Sequence, residues 1–238
     1  MKKLLITGGS RGIGRACVEY FTSLGYRVAF IYAKSDDAAE ELAVSCGALA
    51  VKADVSDSAS LNAAFDRATE WLGGIDVLIN NAGIAQIKLF SDVTDEEWDR
   101  MLGVNLSGVF YATRAAIPMM VAQKSGRIIN IGSVWGRCGA SCEAHYSATK
   151  SALRGLTYSL AKELGPSGIT VNCIEPGVID TDMNRDLDES EMRELADETP
   201  LCRIGEPMEV AYLAEFLAGE RASFITGQII GVDGGFAL

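Results

Sequence analysis

Short apolar runs alternate along the chain with longer segments of helical pattern. Short runs of this kind are typical of strands. They predict seven strands, at Lys3 to Thr7, Arg27 to Tyr32, Ala48 to Ala53, Ile75 to Asn80, Arg127 to Ser133, Ile169 to Glu175 and Gln228 to Val232. Because helix-length segments separate them, the strands are expected to form a parallel sheet with right-handed crossovers.

The ends of several helices also carry sequence signals. Thr94 followed by Glu97 is a capping-box pattern, which predicts that a helix begins there. Gly25, Gly47 and Gly165 each follow a helical pattern, at positions where a helix is expected to end.

The length of 238 residues allows a large core, and no linker or repeat divides the sequence, so one domain over residues 1–238 is expected. The first residues, MKKLLITGG, contain too short an apolar run for a signal peptide or a membrane span. We therefore expect a soluble, cytoplasmic protein.

Acidic residues outnumber basic ones by 32 to 21, which gives a formal net charge of -11. A charge of this sign disfavours nonspecific binding to nucleic acid or to an anionic membrane. No nucleic-acid or membrane partner is expected.

The six cysteines, at positions 17, 46, 138, 142, 173 and 202, lack the paired spacing of a metal site, and the single histidine is His145. A zinc site is therefore not expected. Cys138 and Cys142 lie close in sequence to the candidate site described below, but reduced packing cysteines are favoured over a redox role. His145 is expected to support the site and not to react, because adjacent helical residues point in different directions.

Candidate functional residues follow the predicted strands at one edge of the sheet. In parallel sheets ligands bind beyond the carboxyl ends of the strands. The residues found there are Gly8 to Gly14, Asp54, Asn81 to Gly83, Ser133 and Pro176-Gly177.

A glycine-rich turn, Thr7-Gly8-Gly9-Ser10-Arg11-Gly12-Ile13-Gly14, joins the first strand to a helix. Gly8, Gly12 and Gly14 allow the backbone to approach a pyrophosphate at the helix N-terminus, where free N–H groups and the helix dipole favour anions. The turn predicts a dinucleotide site.

The segment after the second strand, Tyr32-Ala33-Lys34-Ser35, lacks the carboxylate that usually selects NAD. Arg11 and Lys34 can instead bind a 2'-phosphate, so NADPH is favoured over NADH. Asp36 and Asp37 lie just beyond and keep NADH as an alternative.

Tyr146 and Lys150 stand one helical turn apart in HYSATK, thirteen residues after Ser133. A neighbouring ammonium can lower the pKa of a phenol, so this pair is suited to proton transfer to a carbonyl oxygen. Tyr158 and Lys162 have the same spacing but lie deeper in the helix and are not expected to be catalytic.

Together these motifs resemble the short-chain dehydrogenase/reductase family. The resemblance rests on TGGSRGIG, the ADV of residues 53–55, the NNAG of residues 80–83, Asn105, Ser133, YSATK, Pro176-Gly177 and the VDGG of residues 232–235. It implies a single-domain Rossmann fold, an α/β structure with a seven-stranded parallel sheet and helices on both faces.

The resemblance also implies roles for individual residues. Hydride would pass to a ketone while Tyr146 donates a proton and Ser133 orients the carbonyl. Lys150 would lower the tyrosine pKa and hold the nicotinamide ribose. Asn105 would support a proton relay. Asp54 and Val55 would flank the adenine, Asn81, Ala82 and Gly83 would border the adenosine, and Ile179 and Thr181 would lie near the nicotinamide. It further implies a homotetramer, paired through the helices that hold Asn105 and Tyr146 and through the C-terminal strand.

The substrate class is expected from finer likenesses. NIGSVWG, PGVIDTDM and ITGQIIGVDGG resemble bacterial 3-oxoacyl-acyl-carrier-protein reductases, which gives the leading interpretation. Residues 135–143, with Trp135 and Glu143, instead resemble reductases of the 5-aminopentanone group on a lysine of elongation factor P. There Glu143 would pair with an amine, whereas a plain alternative is that it caps the catalytic helix.

Residues 181–205 are expected to form a substrate lid, with a helix from Glu189 to Asp197. The segment from Asp180 to Glu198 holds nine carboxylates against Arg185 and Arg193, a poor surface for an acidic carrier protein. It can equally be the solvated face of the lid. Other small ketones, including sugars and steroids, remain open, as does a noncatalytic dinucleotide-binding regulator or scaffold.

Overall fold

The described part of the chain contains seven strands, within one or two residues of their predicted bounds. The computed structural model describes residues 1–184 and 188–237. The strands are β1 Lys3–Thr7, β2 Arg27–Tyr32, β3 Leu49–Lys52, β4 Val77–Asn80, β5 Gly126–Ile131, β6 Ile169–Pro176 and β7 Ile229–Val232. They form one sheet in the order β3-β2-β1-β4-β5-β6-β7, with every pairing parallel, as predicted.

The helices connect successive strands. They are α1 Gly12–Ser23, α2 Asp36–Cys46, α3 Ser58–Leu72, α4 Asp95–Leu102, α5 Gly108–Gln123, α6 Trp135–Cys138, α7 Ala144–Leu164, α8 Glu189–Glu198 and α9 Pro207–Ala218. The expectation of a doubly wound α/β fold is confirmed.

Two apolar cores cover the two faces of the sheet. Successive side chains of a strand point to opposite faces, so Leu4 and Ile6 of β1 enter one core and Leu5 enters the other. The first core receives Phe21 of α1 and the second receives Phe65 of α3, and all five side chains are buried. The alternation explains why helices are needed on both sides.

The predicted helix ends agree with the structure. Thr94 and Glu97 form the capping box that begins α4. Gly47 ends α2 in the left-handed conformation, with φ of 62°. Gly165 follows the last residue of α7 but stays right-handed, and Gly168, with φ of 74°, completes the exit after a 3-10 turn.

A π-helical turn, Gly103–Ser107, joins α4 to α5 and was not predicted. It contains Asn105, whose side chain is fully buried. Single π-turns of this type are often found at functional sites.

The chain leaves the sheet after β6, at Asp180, and comes back to it at Gly205, before α9. The base of this excursion is closed by paired backbone bonds, from Asp180 N to Gly205 O and from Gly205 N to Val178 O, both 2.9 Å. The predicted helix is present as α8, Glu189–Glu198. Arg185 to Leu187, part of the predicted lid, lie outside the described residues.

Within residues 1–184 and 188–237, no helix has the length and apolar character needed to span a membrane. The same ranges contain no group of three or more histidine, cysteine, aspartate or glutamate residues arranged to hold a metal ion.

Candidate active site

The glycine-rich turn places backbone where side chains cannot fit. Gly8 and Gly12 have φ of 70° and 53°, a region that favours glycine. A Cβ on Gly8 would lie 2.8 Å from Ala82 Cα, and one on Gly14 would lie 2.0 Å from Gly8 O. Gly8 and Gly14 are therefore required by close packing of the turn against its neighbours.

The N-terminus of α1 carries no group of its own to satisfy its first N–H donors. The N-cap residue, Arg11, forms no side-chain cap, and the first turn holds no acidic residue. Free donors and the helix dipole suit this end to an anion, so the turn fits a pyrophosphate.

A cleft of about 520 Å³ opens beside this turn. It is lined by residues 8, 10–13, 31–35, 53–55, 81–85, 100, 104 and 181–183. Most of the predicted cofactor residues are among them, namely Gly8, Ser10, Arg11, Gly12, Ile13, Tyr32, Lys34, Asp54, Val55, Asn81, Ala82, Gly83 and Thr181.

Six predicted cofactor residues are not part of this lining, namely Gly14, Tyr146, Lys150, Pro176, Gly177 and Ile179. For three of them, packing against other residues explains why they do not line the cleft. Gly14 faces the glycine turn, a Cβ on Gly177 would lie 2.8 Å from Asp233 Cα, and Ile179 is buried in the core.

The charges at the β2 end of the cleft are mostly positive. Arg11 and Lys34 line it, and Arg11 Nη1 lies 4.0 Å from the Asp182 carboxylate. Asp36 does not line the cleft, and its carboxylate accepts a 2.6 Å bond from Lys52 Nζ. Asp36, one of the two carboxylates that kept NADH as an alternative, thus forms an ion pair with Lys52.

Asn81 forms hydrogen bonds to the glycine-rich turn as well as lining the cleft. Its Nδ2 donates to Thr7 O at 3.1 Å and to Gly8 O at 2.9 Å. The side chain therefore ties the loop after β4 to the glycine turn.

Arg100 is a cleft residue that the sequence did not reveal. Its Nη1 donates to Asp54 Oδ2 at 2.7 Å and to Ser56 Oγ at 2.6 Å. Hydrogen bonds from Ser56 and Arg100 outweigh the effect of burial and lower the pKa of Asp54. A single arginine in a helix gives no sequence signal, because its partner comes from another loop.

The predicted catalytic residues lie together at the carboxyl edge of β5. Ser133 follows that strand, and Tyr146 and Lys150 occupy the first two turns of α7; all three are buried. Lys150 Nζ donates to Ile131 O at 2.8 Å and lies 5.7 Å from the centre of the Tyr146 ring.

Burial dominates the electrostatics of this pair. It raises the pKa of Tyr146 to about 12, against an opposing effect of the Ser133 side chain, and it lowers the pKa of Lys150 to about 8. The expected net lowering of the tyrosine pKa by Lys150 is therefore not found. The reason is that desolvation disfavours the charged form of each group.

Asn105 reaches the same place from the π-turn. Its Oδ1 accepts from Ile84 N at 2.9 Å, and its Nδ2 donates to Thr149 Oγ1 at 3.2 Å. A Cβ on Gly83 would lie 3.5 Å from both Asn105 Oδ1 and Lys150 Nζ. Both groups therefore approach Gly83, which lines the cleft.

The segment between β5 and α7 contains both predicted substrate residues, Trp135 at the start of α6 and Glu143 just before α7. The Trp135 ring contacts Phe236 edge-on, with 5.3 Å between ring centres. Glu143 occupies the N-cap position of α7, but its side chain forms no cap bond, so the interpretation as a side-chain cap is wrong. The half-buried carboxylate has a raised pKa because of burial, and its charge raises the pKa of Tyr146.

Comparison with known proteins gives full-length matches. A family model described as enoyl-(acyl carrier protein) reductase matches residues 8–237. The 3-oxoacyl-[acyl-carrier-protein] reductase FabG of Staphylococcus aureus is 40% identical over 242 residues, covering 100% of this chain and 98% of that protein. FabG of Aquifex aeolicus is 42% identical over 239 residues, covering 98% and 96%.

Solved structures agree with these matches. A short-chain dehydrogenase/reductase from Serratia marcescens has a TM-score of 0.93 at 40% identity, covering 100% of this chain and 98% of its own. The 3-ketoacyl-(acyl-carrier-protein) reductase from Brucella melitensis complexed with NADH has a TM-score of 0.94 at 34% identity, with coverage of 100% and 98%.

Proposed function

The chain belongs to the short-chain dehydrogenase/reductase family, and from this premise we propose that it is an NADPH-dependent reductase of 3-oxoacyl groups carried by an acyl carrier protein. Membership makes the chain an oxidoreductase. The substrate class is supported by the full-length similarity to FabG proteins of two bacteria.

One observation carries the proposed activity above all others. A buried tyrosine that is protonated at neutral pH lies with Ser133 and Lys150 at the carboxyl edge of the sheet, beside a cleft suited to a dinucleotide. A protonated phenol is what a reduction needs from its general acid.

The residues divide the work as follows. A dinucleotide bound in the cleft would supply the hydride for the ketone carbon, and the carbonyl electron pair would move to oxygen. Tyr146 then gives its hydroxyl proton to this alkoxide. Ser133 Oγ accepts from Trp135 N at 3.2 Å, and its hydroxyl proton would be donated to the carbonyl oxygen of the substrate.

Lys150 and Asn105 support the proton donor. Lys150 uses one N–H on Ile131 O, so two remain for a ribose hydroxyl or a water. Asn105 Oδ1 also approaches Gly83, and it would accept a hydrogen bond from a water that returns a proton to Tyr146.

The preference for NADPH is supported by the charges of the cleft. Arg11 and Lys34 line the end where a 2'-phosphate would lie, and Asp36 is held by Lys52. Gly8 to Gly14 and the N-terminus of α1 would hold the pyrophosphate, Asp54 and Val55 would flank the adenine, and Thr181, Ile179 and Pro176-Gly177 would border the nicotinamide.

Two further proposals concern surfaces. Residues 181–205 would close over the substrate as a lid, from the paired base at Asp180 and Gly205.

A homotetramer is supported by exposed apolar side chains on the predicted pairing elements, Phe110 of α5, Tyr158 of α7 and Phe224 near β7.

Glu143 favours a second candidate, a ketone that bears an amine, as in the 5-aminopentanone group on elongation factor P. Its carboxylate is half-buried near Tyr146 and has neither a hydrogen bond nor an ion pair with any described residue. A buried carboxylate of this kind would gain from pairing with a cation.

The test is NADPH oxidation by the purified protein with a 3-oxoacyl thioester. Steady oxidation that depends on both reactants is expected. Binding of NADPH without oxidation by any ketone would instead favour a dinucleotide-binding regulator or scaffold.

A further inference from the structure

His145, the single histidine, precedes Tyr146 on the first turn of α7 and is 1% exposed. The proton transfer proposed above makes no use of its imidazole. The side chain contacts the loop of residues 84–88, which follows β4: His145 Nε2 lies 3.1 Å from Gln86 Oε1. His145 Nδ1 has no partner in the described part of the chain.

The direction of this bond follows from the next contact. Gln86 Nε2 donates to Glu97 Oε1 at 2.7 Å, which fixes the amide with its oxygen toward the histidine. An amide oxygen only accepts, so His145 donates from Nε2.

The Glu97 carboxylate is itself held in place by further hydrogen bonds. It also accepts from Lys88 Nζ at 2.7 Å and from Thr94 N at 2.9 Å. The Lys88 ammonium, together with the other donors, lowers the pKa of Glu97 to about 2, so the carboxylate keeps its charge across the working pH range.

The loop is held at three points, one on the π-turn, one on α7 and one just before α7. Asn105 holds both backbone groups of Ile84, His145 holds Gln86, and Lys88 N donates to Cys142 O at 2.7 Å. The first residues of this loop, Ile84 and Ala85, line the cleft.

We propose that His145 is a positioning residue, which through Gln86 holds the loop of residues 84–88 against the first turn of α7 and so sets Tyr146 relative to the cleft. The proposal rests on the function proposed above, because its kinetic part needs Tyr146 to be the proton donor. Small misplacements at a reacting centre can lower rates by about 100-fold.

Two matched variants distinguish the effect of losing the hydrogen bond to Gln86 from the effect of losing the imidazole ring. His145→Gln places an amide nitrogen near the position of Nε2 and can still donate to Gln86, whereas His145→Asn reaches only the position of Nδ1, which has no described partner. We expect kcat to fall about tenfold or more in His145→Asn and by less than about threefold in His145→Gln. KM and the Kd for NADPH should stay unchanged in both.

A second readout is independent of turnover. Hydrogen exchange should accelerate in His145→Asn at residues 84–88 and at residues 142–146 together, with the Lys88 amide as the direct reporter. The strands should keep their wild-type exchange, and His145→Gln should restore slow exchange in both segments. The solvent isotope effect on kcat should rise in His145→Asn, because the misplaced proton donor slows proton transfer.

The outcomes are distinct. Equal losses of kcat in the two variants, or exchange that accelerates throughout the protein, would overturn the positioning role. Unchanged exchange at residues 84–88 in His145→Asn would overturn it as well. If the wild type reduces no ketone, the proposed function fails, and the exchange data alone then decide whether His145 couples the loop to the helix.

Discussion

Tyr146 and Lys150 lie one helical turn apart on α7, and burial moves their proton affinities in opposite directions. The pKa of Tyr146 is raised to about 12 and that of Lys150 is lowered to about 8. The phenol therefore keeps its proton at neutral pH and can donate it. The pKa of the Lys150 ammonium lies only slightly above neutral pH, so a small rise in pH removes its charge.

Tyr146→Phe should reduce kcat by about 100-fold or more, because it removes the proton donor and little volume. The Kd for NADPH should not change. Tyr158→Phe is the matched control, since this tyrosine has the same spacing to a lysine but is exposed on α7. Steady-state kinetics and fluorescence titration measure both quantities, and similar losses in the two variants would exclude the assignment.

The rate of reduction should fall as the pH rises through about 8. A lysine with a lowered pKa is charged below that value and loses its charge above it, so the supporting ammonium disappears in this range. The profile of kcat/KM between about pH 6 and about pH 10 measures this. Lys150→Arg, which stays charged, should be slower but should lack the decline; a decline kept in this variant would point to another group.

Lys34→Ala should weaken NADPH binding roughly tenfold, because it removes a charge-assisted partner of the 2'-phosphate. NADH binding should change little. Lys162→Ala removes an exposed cation from α7 and serves as the control. Equal weakening of both dinucleotides by Lys34→Ala would mean that the residue does not select the phosphate.

Glu143→Gln should raise KM for an amine-bearing ketone by roughly tenfold, the effect of removing one ionic hydrogen bond. A neutral 3-oxoacyl thioester should be reduced as by the wild type. Both substrates are compared in initial-rate assays with each protein. Equal changes for the two substrates would show that the carboxylate has no ionic role in recognition.

Glu175→Gln should lower the free energy of unfolding by about 1–3 kcal/mol, because it leaves the Arg154 guanidinium without its charged hydrogen-bond partner. Glu175 is 2% exposed and accepts two bonds from Arg154 Nη1, at 2.9 and 3.0 Å. Urea denaturation measures the loss. Arg203→Gln breaks an exposed pair with Glu209 and should have a smaller effect, because solvent screens the charges of an exposed pair; the opposite ranking would refute this interpretation.

The sequence predicts the fold well because its signals are local. Each strand is a short apolar run. Helix ends, such as the capping box of Thr94 and Glu97 or the stop at Gly47, depend only on residues that are close in sequence. The π-turn around Asn105 was not predicted because a single extra residue within a helical backbone leaves no clear mark in the hydrophobic pattern.

The chemistry of the site was predicted less completely, since it depends on contacts between distant segments. Arg100 meets Asp54 only in the folded chain, and the glycine turn is tied by Asn81, which was expected only to border the adenosine. The sequence places a cation near Tyr146, but it does not show that burial outweighs this charge. Glu143 could be placed at a helix start, yet its side chain turns out not to cap it.

The most direct measurement follows NADPH oxidation with two substrates side by side, a 3-oxoacyl thioester and elongation factor P that carries the 5-aminopentanone group. We expect faster turnover of the thioester, as for a reductase of the acyl-carrier-protein type. Preference for the modified protein would contradict that substrate class and make Glu143 part of a cation site, and oxidation with neither would contradict the proposed reductase activity itself.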